Sequence, residues 1–171
     1  MLFRFIMVLS LTLFPTYVLA EEMIDKMLAV VSRTVITQSD ILVLKILHRH
    51  HPPSLNILKQ RAQQSELDFL IELEIIYALA EGVPVYNIPP QKWEEIKRSL
   101  IPVLESEHGQ IYGDRFLHWI QLQIIGENYV RTNLGITPDN PVSIEEYKEW
   151  MIGQKKKVSY RVTKQSTKET P

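Results

Sequence analysis

The chain has 171 residues, with 19 lysines and arginines against 20 aspartates and glutamates, and it contains no cysteine. A charge balance so close to neutral argues against a nucleic-acid-binding protein, which carries a clear basic surplus. The lack of cysteine excludes a disulfide framework and a lipid-modified cysteine at the start of an exported chain.

The first 20 residues predict a cleavable signal peptide. Arg4 precedes an apolar run from Phe5 to Phe14, and Val18 and Ala20 supply the small residues of a cleavage site. The alternative is a membrane anchor, which needs about 20 apolar residues and is longer than this run. We therefore expect cleavage after Ala20, a mature chain of 151 residues (171 minus 20) without stable membrane insertion, and a location outside the cytoplasm.

The mature chain opens with a predicted β-hairpin. Residues 27–31 (MLAVV) and 35–36 (VI) are short β-prone runs that three polar residues separate. A helix over about residues 39–51 is predicted next, because Asp40 places negative charge in its first turn and Pro52 stops it.

Residues 54–81 predict a long helical stretch with a weak point before Ser65. In its second half, residues 66–81, apolar side chains occupy most of the circumference. Such a helix lies at the centre of a core or holds a partner on its second face. Gly82 is expected to end it in the left-handed conformation.

Prolines and glycines divide the following stretch. Pro90 suits the first turn of a third helix, and Pro102 should kink that helix or split it in two. Residues 109–113 begin and end with glycine and predict a turn. A fourth helix, residues 114–134, has another broad apolar face and closes at Gly135.

The C-terminal part predicts one short helix and a last strand. Residues 143–146 (SIEE) form a capping box, which begins a helix running to Trp150 or Met151. Residues 158–162 alternate apolar and polar side chains and predict a strand.

This strand is the expected third member of the sheet, since a hairpin alone is marginal in water. We predict a mainly α-helical domain over residues 21–162, with a small sheet formed by the N-terminal hairpin and the C-terminal strand. The polar residues 163–171 are expected to form a disordered tail.

No sequence motif for catalysis is present. The chain lacks a glycine-rich phosphate loop, a nucleophile elbow and an HExxH motif, so we expect no enzymatic activity. His48, His50 and His51 form the one cluster with the character of a metal site, since His48 and His51 share a helix face. Because no further ligand is near in sequence, we favour solvated imidazoles that complement the helix dipole, and we expect neither a metal nor a cofactor.

Charged and aromatic residues allow two interpretations each. Four acidic residues lie in the second long helix: Glu66, Asp68, Glu72 and Glu74. They could act as a carboxylate pair in acid–base chemistry, but no partner group accompanies them, so we favour a solvated edge. The run from Lys155 to Lys157 could touch anionic lipid, although a solvated entry to the last strand fits it better. Four aromatic residues could line a binding surface, although each alone better fits a core: Tyr86, Trp93, Trp119 and Trp150.

Residues 24–31 (IDKMLAVV) and 35–40 (VITQSD) resemble the start of the SurA family of periplasmic chaperones, which begin with a similar run just after a signal peptide. The likeness extends to the closing helix and strand (YKEW at 147–150 and VSYR at 158–161). It implies a periplasmic location, a mainly helical core domain, and an apolar crevice that binds unfolded outer-membrane polypeptides. Larger members insert prolyl isomerase domains before the closing segment, and residues 137–142 leave no room for one, so we expect no isomerase activity.

Two hypotheses for the function follow. The first is an ATP-independent periplasmic chaperone whose crevice lies between the second and fourth helices and holds clients by non-directional apolar contact. Seven residues are the predicted contacts: Phe69, Leu73, Ile76, Tyr77, Leu117, Ile120 and Ile124. The second is a dedicated interaction subunit that uses the same face for one fixed partner or for homodimerisation. The two apolar faces could also simply pack on each other.

Overall fold

The computed structural model describes residues 25–163. The predicted signal peptide and residues 164–171 of the predicted tail lie outside the described residues. Seven α-helices and three strands follow one another along the described chain: β1 Met27–Val31, β2 Thr34–Thr37, α1 Gln38–His50, α2 Asn56–Gln64, α3 Glu66–Ala80, α4 Pro90–Ser99, α5 Ile101–Leu104, α6 Glu107–Asn133, α7 Ile144–Lys155 and β3 Tyr160–Val162. A short 3-10 helix, Pro84–Tyr86, lies between α3 and α4.

The three strands form one antiparallel sheet in the order β2-β1-β3. Ser32 makes the tight hairpin turn between β1 and β2 with a positive φ of 51°. The central strand aligns Ala29 with Ile36 on one side and with Val162 on the other. The predicted fold class, mainly helical with a small sheet that joins the two ends of the domain, is confirmed.

Helix α3 is the centre of the core. Every side chain from Phe69 to Ile76 is buried, because α6, α2, α7, α1 and the sheet surround this helix. At Gly126 on α6 the missing side chain allows close approach, since a Cβ atom there would lie 3.0 Å from Leu73 Cδ2. The apolar circumference of α3 thus belongs to a helix enclosed by its own domain.

Several predicted helix boundaries are confirmed. The long helical stretch breaks at Ser65, whose hydroxyl accepts a hydrogen bond from the Asp68 amide at 3.3 Å. Gly82 follows α3 with a φ of 78°. Pro90 is the first residue of α4, and Pro102 lies in the separate short helix α5.

The predicted turn over residues 109–113 is wrong. These residues belong to α6, which begins at Glu107. The helix is kinked at Tyr112, where φ is −120° and ψ is 15°, but the chain does not turn there. Gly109 is needed for a different reason: a Cβ atom there would overlap the backbone of Val103 and Leu104 at the end of α5. Close packing between two helices, and not a change of chain direction, explains this glycine.

The C-terminal segment follows the prediction with two corrections. The capping box is confirmed, since the Ser143 amide donates to Glu146 Oε2 at 2.8 Å and the Glu146 amide donates to Ser143 Oγ at 3.2 Å. Helix α7 continues to Lys155, so that this lysine is not part of a strand entry. Strand β3 covers only Tyr160–Val162, and the Thr163 amide adds a bond to the Leu28 carbonyl at 2.8 Å.

Candidate functional site

The predicted peptide-binding residues are mostly part of the core. Phe69, Leu73, Ile76 and Ile120 are at most 1% exposed. The other three predicted contacts, Tyr77, Leu117 and Ile124, are partly buried and pack against this core. The apolar faces of α3 and α6 pack on each other, and the four buried side chains line no open crevice.

The predicted solvated edge on α3 is wrong for Glu72, whose carboxylate is buried. Glu72 is 2% exposed and accepts two hydrogen bonds from Arg61 on α2, at 2.9 Å from Nε and 3.0 Å from Nη2. Lys155 Nζ on α7 donates to the same carboxylate at 2.9 Å, and the Tyr147 hydroxyl lies 3.4 Å from it. Burial, followed by the adjacent Glu72 charge, raises the pKa of Tyr147 well above its usual value. One carboxylate therefore connects three helices.

Glu74, the second buried acid of α3, pairs with a histidine that sequence reasoning overlooked. Glu74 is 3% exposed, and its Oε1 lies 2.9 Å from Nε2 of His118 on α6. The His118 side chain is 41% exposed, so one edge of the ring reaches solvent. The sequence does contain a signal for these buried acids. Glu72 and Glu74 lie on a helix that is apolar around most of its circumference, so it offers no polar face on which both carboxylates could reach solvent.

A third polar cluster joins the start of the described chain to α1 and α6. Asp25 and Asp40 flank Arg115, whose Nη1 lies 2.9 Å from Asp25 Oδ2 and 3.3 Å from Asp40 Oδ1. The Trp119 indole donates to Asp40 Oδ1 at 2.9 Å, and Thr37 donates its amide to Asp40 Oδ2 at 2.7 Å. This cluster joins the end of β2 to α1 and α6 through Thr37, Asp40 and Arg115.

The Asp25 carboxylate is held ionised by its partners. Burial alone would raise its pKa, but hydrogen bonds from Thr37 Oγ1, the Ser39 amide and Arg115 outweigh that effect and lower the pKa below its ordinary value. Asp25 therefore acts as a charged link and not as a proton donor near neutral pH.

The three clustered histidines occupy different surroundings. His50 is exposed and His51 is half-buried, whereas His48 packs edge-on against Phe69 and lies 3.2 Å from the Gln123 amide oxygen. His48 is half-buried, so the predicted solvated imidazole is wrong for this residue, and the burial lowers its pKa. Within residues 25–163, no three His, Asp or Glu side chains are grouped as a metal site.

The aromatic residues that could have lined a binding surface are placed in or against the core. Trp119 is 1% exposed, while Trp93 and Trp150 are partly buried against the core. Tyr86 is half-buried and meets Tyr129 of α6 edge-on, with ring centroids 5.1 Å apart.

A groove with an apolar floor lies beside α1 and α2. It has a volume of about 350 Å³, and we call it the α1–α2 groove. Buried side chains contribute to its floor: Leu44, Pro53 and Ala62. Charged and polar side chains form most of its rim: Lys45, His48, Arg49, Lys59, Gln63 and Glu66, with Pro52 between the helices.

The rim of this groove carries a positive excess. Lys45, Arg49 and Lys59 are exposed, and Glu66 is the one carboxylate among the lining residues. Lys45 Nζ lies 3.3 Å from Glu66 Oε1, so Arg49 and Lys59 supply the remaining charge. Sequence reasoning missed this groove because its walls come from two helices whose relative position no local pattern specifies.

Comparisons of the chain with protein-family models, with curated proteins and with solved structures give no match. Across the described helices, none has both the length and the apolar character needed to cross a membrane.

Proposed function

We propose that this protein is an ATP-independent periplasmic chaperone, without isomerase activity, that binds unfolded exported polypeptides in the α1–α2 groove. The observation that carries the proposal is the groove itself: an apolar floor around Leu44 and Ala62 under a rim with three cations. The resemblance of residues 24–40 to the SurA family supports the chaperone role and the client class.

The volume of the groove suits one or two client side chains. Ligand pockets begin at roughly 300 Å³, and the groove reaches about 350 Å³. Contact with the floor would be non-directional and therefore tolerant of client sequence. The cationic rim would favour apolar segments that carry an acidic group and would repel basic ones.

The position differs from the crevice expected between the second and fourth helices. Phe69, Leu73, Ile76 and Ile120 could contact a client only if α3 and α6 separated. A groove that already exists needs no such rearrangement, which would expose apolar surface at about 25 cal/mol per Å².

Light scattering tests the chaperone role directly. The protein should suppress the thermal aggregation of two unrelated enzymes, citrate synthase and malate dehydrogenase, without ATP. Suppression of neither would contradict the chaperone role. Protection of only one would favour the alternative, a dedicated interaction subunit that uses its apolar surface for one fixed partner or for homodimerisation.

A pair of charge variants tests the groove. Arg49→Glu/Lys59→Glu should weaken binding of reduced, carboxymethylated α-lactalbumin by roughly tenfold, since each exposed charge contributes at most about 1 kcal/mol. Lys92→Glu/Lys148→Glu changes the net charge equally at exposed positions on α4 and α7 and should bind like the unaltered protein. Equal weakening by both pairs would mean that net charge, and not the groove, attracts the client.

A further inference from the structure

The outer edge of β3 presents unpaired backbone groups. The Thr163 amide bonds to the Leu28 carbonyl and the Ser32 amide to the Ser159 carbonyl, each at 2.8 Å. The register that aligns Arg161 with Val30 places residues 159, 161 and 163 in hydrogen-bonded pairs with residues 32, 30 and 28. The amide and carbonyl groups of Tyr160 and Val162 therefore point away from β1, where none of residues 25–163 adds a further strand.

The side chains of the same two residues extend the apolar face of the sheet. Val162 aligns with Ala29 and Tyr160 with Val31, and both of these β1 residues are at most 1% exposed in the core. Tyr160 and Val162 are 41% and 46% exposed, because the helices that cover β1 do not extend over β3. The apolar face of the sheet thus extends past the helices that cover β1, and at β3 it lies next to backbone donors and acceptors that have no partner strand among the described residues.

Arg161 determines which strand fits this edge. Its exposed side chain lies on the opposite face of β3, and none of the salt bridges among the described residues includes it. In the symmetric antiparallel register that aligns Tyr160 with Val162 of a second copy, two Arg161 side chains would face each other, and like charges directly opposite destabilise a strand pair. A partner strand with an acidic residue opposite Arg161 would instead form a favourable ion pair with it.

We propose that the outer edge of β3 binds an extended segment of a partner protein in which an acidic residue lies between two apolar residues. The backbone of that segment bonds to Tyr160 and Val162, its apolar side chains cover those of the same residues, and its carboxylate meets Arg161. Strand addition of this kind obtains affinity from the main chain and specificity from alternate side chains. It does not involve the α1–α2 groove, so the two binding activities can fail independently.

Two labelled peptides test the proposal, Thr-Thr-Val-Glu-Val-Thr-Thr and the same peptide with Lys in place of Glu, both with blocked ends. Fluorescence anisotropy should show the Glu peptide binding roughly fivefold tighter than the Lys peptide. Arg161→Glu should reverse that preference, and it changes an exposed side chain that the fold does not need. An unchanged preference in this variant would overturn the proposal.

Hydrogen exchange locates the binding. Saturating Glu peptide should slow exchange of the Tyr160 and Val162 amides by roughly tenfold, while the Arg161 and Thr163 amides already bond to β1 and should change little. Val162→Pro removes an outward amide and none that faces β1, so it should abolish peptide binding while thermal unfolding stays close to that of the unaltered protein. Exchange slowed elsewhere, or binding retained by the proline variant, would refute the proposal.

Two other occupants of the edge are distinguishable. Protection of the Tyr160 and Val162 amides that grows with protein concentration, together with a dimer in sedimentation analysis, would assign the edge to a second copy. Peptide binding that appears only after removal of residues 164–171 would assign it to the protein's own C-terminal segment. Either result would overturn the proposal of a separate acidic partner strand.

Discussion

The guanidinium of Arg61 and the carboxylate of Glu72 form a two-bond pair inside the protein, at 2.9 and 3.0 Å, with the residues 8% and 2% exposed. Lys155 reaches the same carboxylate from α7. Burial alone would lower the pKa of Arg61, but the bonds and the charge of Glu72 outweigh it and raise the pKa, so the guanidinium stays charged. Because Arg61 and Lys155 meet on the Glu72 carboxylate, these bonds hold α2 and α7 against α3.

Arg61→Met should lower the free energy of unfolding by about 3 kcal/mol, because Glu72 then keeps a buried charge without its main partner. Urea denaturation followed by circular dichroism measures the loss. The double variant Arg61→Met/Glu72→Leu should recover part of it, since apolar residues of similar volume can replace a buried ion pair, while Lys155, whose side chain is 26% exposed, loses its carboxylate partner. A loss under about 0.5 kcal/mol in the single variant would mean that Lys155 alone compensates Glu72.

Asp25→Asn should change how stability depends on pH. The folded-state pKa of Asp25 lies below its ordinary value of 3.8, so the ionised carboxylate contributes stability above about pH 4, and that contribution disappears as the pH falls through the folded pKa. The variant should be less stable than the unaltered protein at neutral pH, and the difference should shrink in acid. Urea denaturation from neutral to acidic pH measures this difference. A gap that stays constant over the range would contradict the assigned charge state.

Gly126→Val should destabilise the protein by about 1 to 3 kcal/mol, because the added atoms would press on Leu73 where α3 and α6 cross. Gly153 on α7 is the matched control, since a Cβ atom there meets nothing within 4 Å. Gly153→Ala should raise stability by up to about 1 kcal/mol through helix propensity alone. Differential scanning calorimetry of both variants checks the contrast, and equal shifts of the two melting temperatures would refute the close crossing.

Ser143→Ala should lower the free energy of unfolding by about 1 kcal/mol, because the first turn of α7 loses the acceptor for the Glu146 amide. The loss should appear in urea denaturation at neutral pH. Ser159→Ala, at an exposed position just before β3, serves as the control and should remain within about 0.5 kcal/mol of the unaltered protein. Equal effects of the two changes would show that the capping box contributes nothing specific.

Local backbone chemistry made several elements predictable from the sequence. Pro90 at a helix start, Gly82 in the left-handed region and Ser143 in its capping box act over a few residues, and each lies where the pattern placed it. The hairpin was equally accessible, because β-prone runs on both sides of a tight turn need no distant partner. Gly109 led to a wrong prediction of a turn, because a local pattern does not distinguish a glycine needed for close helix packing from one needed for a turn.

What only the tertiary structure decided is which faces meet. The sequence determined that α3 and α6 carry broad apolar surfaces, but burial of Phe69 and Ile120 follows from packing of the two helices on each other. The same is true of Glu72, whose partner Lys155 lies 83 residues further along the chain. Hydrophobic burial is non-directional. An apolar pattern therefore predicts that a helix face will be buried, but it does not identify the element that packs against that face. The α1–α2 groove and the uncovered edge of β3 are two of the surfaces that this packing leaves open in the described part of the chain.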